Sequence, residues 1–250
     1  MNIGIQSNLW GTDQHGESLP SILVEIAQAG YAGIEIGAHR FDNLDHPEDF
    51  LDLLIENSLH VSGIHTIGRL YFDGNLDYVE RAAAFTKAVG SGYMMVSGDS
   101  KKDKTITELK SIAKVLNQAG EICKKQGIVY CYHNHAFEFK NGGEEFRSLC
   151  DFTDPNFVHL CLDIGWVERS GASPEEVAKK YKDRIRYLHL KDTVGGKFVN
   201  LGDGTVDIPA VIDVLRNNNS VYFTVELDEV VPNPLESAKK CRSYLKELGL

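Results

Sequence analysis

The sequence lacks the features that mark several large classes of protein. Its five cysteines are scattered, with no CxxC pair, and most lie in apolar surroundings. This pattern is typical of reduced thiols in the core of a cytoplasmic protein and argues against a disulfide framework. No apolar run is long enough to span a bilayer, and the N-terminal residues lack the charged and apolar regions of a signal peptide. We therefore expect a cytoplasmic protein with no membrane partner.

Positive charge is also scarce. Lys and Arg number 26 against 36 Asp and Glu, which makes the formal net charge −10. A negative protein is repelled by the phosphate backbones of nucleic acids, so the composition predicts no nucleic-acid partner. A small molecule is the expected ligand, and association of identical chains is left open.

The 250 residues instead show a regular alternation of short β-rich runs and longer helical patterns. The clearest helical pattern starts at Thr105 and is ended by Gly127. Its apolar residues fall on one helical face: Leu109, Ile112, Ala113, Leu116, Ala119 and Cys123. Eight strand–helix units follow one another with no linker between them, which predicts a single domain over residues 1–250.

Strands that are separated by helices must run parallel, and eight such units fit a closed (β/α)8 barrel, also called a TIM barrel. The predicted strands are apolar at both alternating positions, as expected when both faces of a sheet are buried. An open, doubly wound sheet is the alternative. Against it, no GxGxxG motif follows the first strand, where Gly4-Ile5-Gln6-Ser7-Asn8 stands.

The fifth predicted strand ends in a dense group of polar side chains. An apolar run over residues 128–132 is followed by His133, Asn134, His135 and Glu138. Each of them alone would be an ordinary strand end exposed to solvent. Together they predict a site at the C-terminal end of this strand, where active sites of (β/α)8 barrels lie.

Other predicted strands end in the same way. The polar residues at these ends are Glu35 and His39, His65, Asp163, His189 and Glu226. Glu138, Asp163, His189 and Glu226 come from four consecutive strands, which are neighbours around a barrel. Three carboxylates and one imidazole suit a single divalent cation, Mn²⁺ best, with Mg²⁺, Co²⁺ or Zn²⁺ as alternatives. Without a cation the three carboxylates would repel one another.

Several of these motifs resemble the sugar phosphate isomerase/epimerase superfamily, the xylose isomerase-like (AP endonuclease family 2-like) barrels. This group also contains endonuclease IV, ketohexose 3-epimerases and inosose-processing enzymes. The motifs are Tyr132-His133-Asn134-His135…Glu138-Phe139, Leu162-Asp163, His189-Leu190-Lys191-Asp192, Gly202-Asp203-Gly204…Asp207 and Val225-Glu226. The resemblance covers nearly the whole chain, and it is specific for the superfamily rather than for a substrate.

The resemblance implies one divalent metal held by Glu138, Asp163, His189 and Glu226. This sequence departs from the family pattern at strand five, because several branches of the superfamily place a Glu near the position that His133 occupies here. Glu138 is preferred as the ligand here, with His133 or His135 as substitutes.

The resemblance also implies catalysis of proton transfer at a carbon beside a carbonyl. The metal would stabilise an enediolate, while Glu138 and Glu226 would remove and return the proton, with His135 as a further catalytic group. The remaining candidates are expected to bind the sugar: Glu35, His65, His133, Trp166 and Lys191. Trp10 and Trp166 could pack on its apolar face, although plain packing at the barrel rim is equally consistent with both.

The segment Gly202-Asp203-Gly204 has two interpretations. Its backbone N–H groups could cradle an anion. The favoured interpretation is a tight turn before a helix with Asp207 as N-cap. No cluster of Arg and Lys forms an obvious phosphate clamp, so the sugar need not be phosphorylated.

The leading hypothesis is a metal-dependent isomerase or epimerase of a keto-sugar or related polyol. The alternative is a lyase, such as a dehydratase, or a hydrolase that acts on a keto-sugar, an inosose or an oxidised glycoside. DNA repair of the endonuclease IV type is a remote alternative, opposed by the acidic composition. A binding protein without catalysis is opposed by the complete carboxylate set.

Overall fold

The alternation of strands and helices closes into a barrel in a computed structural model, which describes residues 3–11, 18–38, 46–100, 104–218, 220–228 and 231–250. The barrel strands are β1 (Ile3–Gln6), β2 (Gly33–Gly37), β3 (His60–Ile67), β4 (Tyr93–Ser97), β5 (Val129–His133), β6 (His159–Asp163), β7 (Ile185–Leu190) and β10 (Tyr222–Val225). They pair in parallel in the closed order β1-β10-β7-β6-β5-β4-β3-β2. The predicted (β/α)8 barrel is thereby confirmed, and the open sheet is excluded.

The helices surround the barrel. Their bounds are α1 (Leu19–Ala29), α2 (Glu48–Glu56), α3 (Asp77–Ala88), α4 (Ile106–Lys125), α5 (Lys140–Phe152), α6 (Ile164–Arg169), α7 (Pro174–Tyr181), α8 (Ile208–Leu215) and α9 (Pro234–Glu247). α4 starts with a capping box, in which Thr105 and Glu108 satisfy each other's backbone N–H groups. Within the described residues, no helix is both long and apolar enough to cross a membrane.

Two short features were not predicted from the sequence. α6 follows β6 directly, and a two-stranded antiparallel hairpin of β8 (Asp192–Val194) and β9 (Lys197–Val199) follows β7. Gly195 and Gly196 form the hairpin turn, both with positive φ, which a two-residue hairpin turn of type I′ requires. Both features are too short to leave a periodic apolar pattern, which explains why they were missed.

The core has two parts because strand side chains alternate between the two faces of the sheet. Most buried apolar residues pack between the strands and the helices. Met95, Cys131, Cys161 and Tyr187 form a separate small cluster from β4 to β7. Two positions further along their strands, Cys131, Cys161 and Tyr187 are followed by His133, Asp163 and His189. Because side chains two positions apart on a strand lie on the same face, these polar side chains also lie on the inner face, at the C-terminal end of the barrel.

Candidate metal centre and active site

Four polar side chains meet at the C-terminal ends of neighbouring strands: His133, Asp163, His189 and Glu226. All four are buried, and they offer ligand atoms that lie within 4.8 Å of one another. His189 Nδ1 lies 2.7 Å from Glu226 Oε2, and His133 Nε2 lies 3.3 Å from Asp163 Oδ2. We call this group the four-residue cluster.

The four-residue cluster fits a divalent cation. Within the described part of the chain, the buried His189 Nδ1 has no hydrogen-bond partner, although it lies 2.7 Å from Glu226 Oε2. Donor atoms that share one small cation lie about 3 Å apart when each is about 2.1 Å from it. A common cation therefore accounts for two buried polar atoms that approach each other without a hydrogen bond.

The charges around the cluster lead to the same conclusion. The carboxyl groups of Glu35, Asp163, Glu226 and Asp228 lie close together. Among the described residues, Lys191 is the one lysine or arginine that contacts any of them, and the imidazoles of His65, His133 and His189 are the other partners. An excess of buried negative charge is costly unless a cation or protonation offsets it.

A hydrogen-bonded chain behind the cluster orients His189. Glu35 Oε2 lies 2.7 Å from His189 Nε2, and Glu35 Oε1 lies 3.0 Å from His65 Nδ1. Burial would raise the pKa of Glu35, but His189 and His65 lower it to about 2. A carboxylate that accepts from one ring nitrogen leaves the other nitrogen free for a metal. The sequence predicted that Glu35 binds the sugar, whereas in the structure its carboxylate contacts His189 and His65 and is positioned to orient His189.

Glu138, the strand-five ligand preferred from the sequence, lies outside the four-residue cluster. Tyr132 Oη donates to Glu138 Oε1 at 2.9 Å, and the His135 N–H donates to Glu138 Oε2 at 2.8 Å. Tyr132 has the opposite strand parity to His133, so it lies on the helix side of the sheet and holds Glu138 there. Burial raises the pKa of Glu138 to about 8. The strand-five member of the cluster is His133, one of the substitutes considered above.

The segment after β5 is fixed to its neighbours. The Asn134 side chain donates to the backbone oxygen of Asp163 at 3.1 Å and accepts from its N–H at 3.0 Å. The His135 ring lies 5.5 Å from the ring of Phe137 and 5.3 Å from that of Trp166. Burial and the nearby His133 and Lys191 lower the pKa of His135 to about 3, so this ring is neutral at pH 7.

A pocket of about 160 Å³ opens onto the cluster. Its lining residues are Gln6, Asn8, Gly37, His65, Ile67, Ser97, His133, His135, Glu226 and Asp228. The sequence predicted four of them as site residues, namely His65, His133, His135 and Glu226. A larger surface groove of about 550 Å³ beside Lys104 contains no member of the cluster.

Asp228 is a pocket residue that sequence reasoning missed. The available signal was strand parity, because residues two apart at a strand end project to the same side. Burial would raise the pKa of Glu226, but His189 and Lys191 hold it well below its usual range. Burial and the nearby Glu226 raise the pKa of Asp228. The pKa values of the two carboxyl groups in the pocket are therefore shifted in opposite directions.

Other predicted sugar-binding residues lie elsewhere. Lys191 is fully buried, and its ammonium group contacts the carboxyl groups of Asp163, Glu226 and Asp228. It does not line the pocket. Trp166 packs against Phe198 and Arg169 instead of lining the pocket. Trp10 is buried and donates to Glu25 Oε2 at 2.6 Å, which agrees with plain rim packing. His39 lies outside the described residues.

The N–H groups of the Gly202-Asp203-Gly204 turn are already used. The Asp192 carboxylate accepts from the N–H groups of Gly202 at 2.9 Å, Gly204 at 3.0 Å and Val206 at 3.1 Å. Asp207 caps α8 by accepting from the Ala210 N–H at 3.0 Å. The interpretation as a turn with an N-cap is confirmed, and the anion cradle is filled by a side chain of the protein.

Comparison with known proteins identifies the family. The family model described as xylose isomerase-like TIM barrel matches residues 23–248. An inosose dehydratase from Mesomycoplasma hyopneumoniae (strain 7448) is 30% identical, covering 99% of this chain and 96% of the relative.

Solved structures share the fold. A sugar phosphate isomerase/epimerase from Parabacteroides distasonis has a TM-score of 0.83 at 22% identity, covering 98% of each chain. A D-allulose 3-epimerase from Methylomonas sp. has a TM-score of 0.80 at 16% identity, covering 99% of this chain and 98% of the other. Together with the family match, these likenesses confirm the resemblance seen in the strand-end motifs: the chain belongs to the xylose isomerase-like TIM barrel family.

Proposed function

We propose that this protein is a divalent-metal-dependent dehydratase that removes water from a keto-polyol of the inosose type. The observation that carries the proposal is the position of the pocket carboxylates. Glu226 and Asp228 come from one strand end and lie on one wall of the pocket, while Glu138 lies on the helix side of the sheet. Proton exchange between the two faces of a carbon by a pair of carboxylates needs one carboxylate on each face, whereas elimination can use a base and an acid on the same side.

The relatives and the pocket support the same substrate class. Proteins named inosose dehydratase resemble this chain over nearly its whole length. The described pocket lining contains amides, a hydroxyl and imidazoles from Gln6, Asn8, Ser97, His65 and His135, but no Lys or Arg. Such groups suit the hydroxyls of an uncharged polyol, and a phosphorylated sugar would find no cationic partner among them.

Each step of the proposed elimination of water is assigned to residues of the cluster or the pocket. A cation held by the four-residue cluster, best Mn²⁺ for this mixed nitrogen and oxygen set, would stabilise negative charge on the substrate's carbonyl oxygen. Glu226 accepts the proton from the carbon beside the carbonyl, because it is a carboxylate that lines the pocket beside the cluster. Asp228, whose pKa is raised by burial and by Glu226, takes up a proton from solvent and donates it to the departing hydroxyl, which leaves as water. Neutral His135 hydrogen-bonds the substrate hydroxyls. The products are water and an unsaturated keto compound.

The test is an assay of inososes and keto-sugars with Mn²⁺ in deuterated water. We expect loss of one water per turnover, which mass spectrometry of a matched reaction in ordinary water shows as a product about 18 Da lighter than the substrate. Deuterium incorporation into an epimer or isomer with no loss of water would overturn the dehydratase proposal. No turnover of any of these compounds with metal present would also count against it.

An isomerase or epimerase is the second candidate, and one observation favours it. His135, from the β5 side, and Glu226, from the end of β10, both line the pocket, and β6 and β7 lie between these strands. A histidine across the pocket from Glu226 is able to return a proton to the other face of a carbon. The deuterium experiment separates the two candidates.

A further inference from the structure

A buried lysine beside the candidate metal centre has no role in the chemistry described above. Lys191 is fully buried, and its side-chain stem crosses Gly165, where a Cβ atom would lie 2.6 Å from Lys191 Cγ. The rings of Phe198 and Trp166 lie 4.8 and 5.4 Å from Lys191 Nζ. A glycine at position 165 therefore leaves room for the stem, and the two rings shield the ammonium group from water.

The ammonium group contacts oxygens of two cluster members. Lys191 Nζ lies 2.8 Å from Asp163 Oδ2 and 2.9 Å from Glu226 Oε2. It also lies 2.5 Å from Asp228 Oδ2, outside the cluster. His133 Nε2 and His189 Nδ1 approach the same Asp163 and Glu226 oxygens. The lysine and a bound metal would therefore share two carboxylate oxygens.

We propose that Lys191 is an internal counter-cation of the metal site, which holds the Asp163 and Glu226 carboxylates together in the metal-free protein and competes with a divalent cation for their oxygens. The inference rests on the metal site of the proposed function. Before metal binds, the ammonium group offsets the repulsion between the two carboxylates. After a metal binds, the ammonium group and the metal contact the same carboxylate oxygens and repel each other. Asp228 is then the partner that keeps the ammonium group in place.

Two opposite effects of removing this charge follow. The metal-free protein loses the group that offsets its buried carboxylates, so it becomes less stable. The metal-bound protein loses a positive charge that opposed the metal, so the metal binds more tightly. A residue that only fills space in the core would lower stability without tightening metal binding.

The experiment compares Lys191→Met with Lys104→Met. Lys104 has a similarly buried side chain, 4% exposed, and lies 2.8 Å from Glu145 Oε1, outside the four-residue cluster. Metal-free protein is titrated calorimetrically with Mn²⁺, and Tm is measured in EDTA. We expect Lys191→Met to lower the Kd for Mn²⁺ on the order of 10- to 100-fold and to lower Tm in EDTA. Lys104→Met should lower Tm and leave the Kd unchanged.

The other outcomes are equally decisive. An unchanged or higher Kd in Lys191→Met, while the wild type binds Mn²⁺, overturns the counter-cation role and leaves the proposed function intact. A wild type that binds no divalent metal overturns the metal site and the proposed function with it. If Lys191→Met does not fold, Lys191→Gln, which keeps N–H donors but no charge, is measured instead. Failure of both to fold even with excess Mn²⁺ would make Lys191 a structural residue and overturn the inference.

Discussion

At the scale of single residues, the assignment of the base depends on Glu226. It combines a buried position, a pKa held well below its usual range and contact with both the pocket and the metal cluster. Its strand neighbour Val225 faces the opposite side and is fully buried in the main core. A substitution at Glu226 should therefore change the chemistry more than the packing.

We expect Glu226→Gln to lower kcat by about 10²- to 10⁴-fold, the usual effect of losing a general base. Metal binding should weaken only in part, because the amide keeps one oxygen donor. Steady-state rates and calorimetric titration with Mn²⁺ measure the two effects separately. Normal metal binding with a rate close to the wild type would remove Glu226 from both roles.

Glu138 should act on stability rather than on metal binding. Its pKa of about 8 lies above the ordinary value for a carboxyl group, so the folded protein holds a proton that the unfolded chain has lost between about pH 4.5 and 8. The free energy of unfolding must then fall as pH rises through this window. Glu138→Gln cannot ionise and should remove this part of the pH dependence.

Urea denaturation of metal-free wild type and Glu138→Gln at several pH values measures the difference. The Kd for Mn²⁺ at neutral pH should be the same in both proteins, since Glu138 lies outside the four-residue cluster. A large loss of metal affinity in Glu138→Gln would restore Glu138 as the strand-five ligand.

At the scale of elements, the loop after β7 is organised by one carboxylate. Asp192 is 1% exposed and accepts from four backbone N–H groups, those of Thr193, Gly202, Gly204 and Val206. Gly204 has no room for a side chain, because a Cβ atom there would lie 2.1 Å from Asp192 Oδ1. The hairpin and the turn before α8 therefore depend on Asp192.

Asp192→Ala should lower the free energy of unfolding by about 3 kcal/mol, because four backbone N–H groups lose their acceptor and two of these hydrogen bonds are buried. Asp207→Ala removes only the N-cap of α8 and should cost about 1 kcal/mol. Chemical denaturation of both variants provides the comparison. Equal losses in the two would show that the Asp192 contacts contribute little, and rescue of Asp192→Ala by phosphate would show that the turn can accept an anion.

At the scale of the whole molecule, a metal that joins four strand ends should stabilise the entire barrel. β5, β6, β7 and β10 are neighbours in the closed order, so a cation that binds the native barrel but not the unfolded chain shifts the whole folding equilibrium. We expect about one equivalent of divalent metal in the purified protein, and loss of activity in EDTA.

Removal of the metal should also lower Tm. With free metal at 100 times its Kd, the expected stabilisation is about 2.7 kcal/mol. Thermal denaturation with EDTA and after return of Mn²⁺ measures it, and Mn²⁺ should restore both Tm and activity. A metal-free protein with full activity would contradict the metal site.

The sequence by itself determined the barrel and most of the cluster. Alternating strands and helices without linkers force a parallel sheet, and polar residues at the ends of strands six, seven and eight must meet when the sheet closes. Asp163, His189 and Glu226 could be assigned for this reason, since a strand end leaves a side chain little freedom in where it projects.

Only the tertiary structure decided which residue from the end of β5 joins the four-residue cluster. Glu138 follows the strand by several residues in a 3-10 turn, and strand parity no longer predicts where its side chain lies. The Tyr132 hydroxyl lies on the helix side of the sheet and holds the Glu138 carboxyl group there. His133 lies on the inner face, like Cys131 two positions earlier, and is part of the cluster. The burial of Lys191 likewise depends on Gly165, in the helix that follows β6, and on Phe198, in the hairpin that follows β7, and the tertiary structure brings these two residues together.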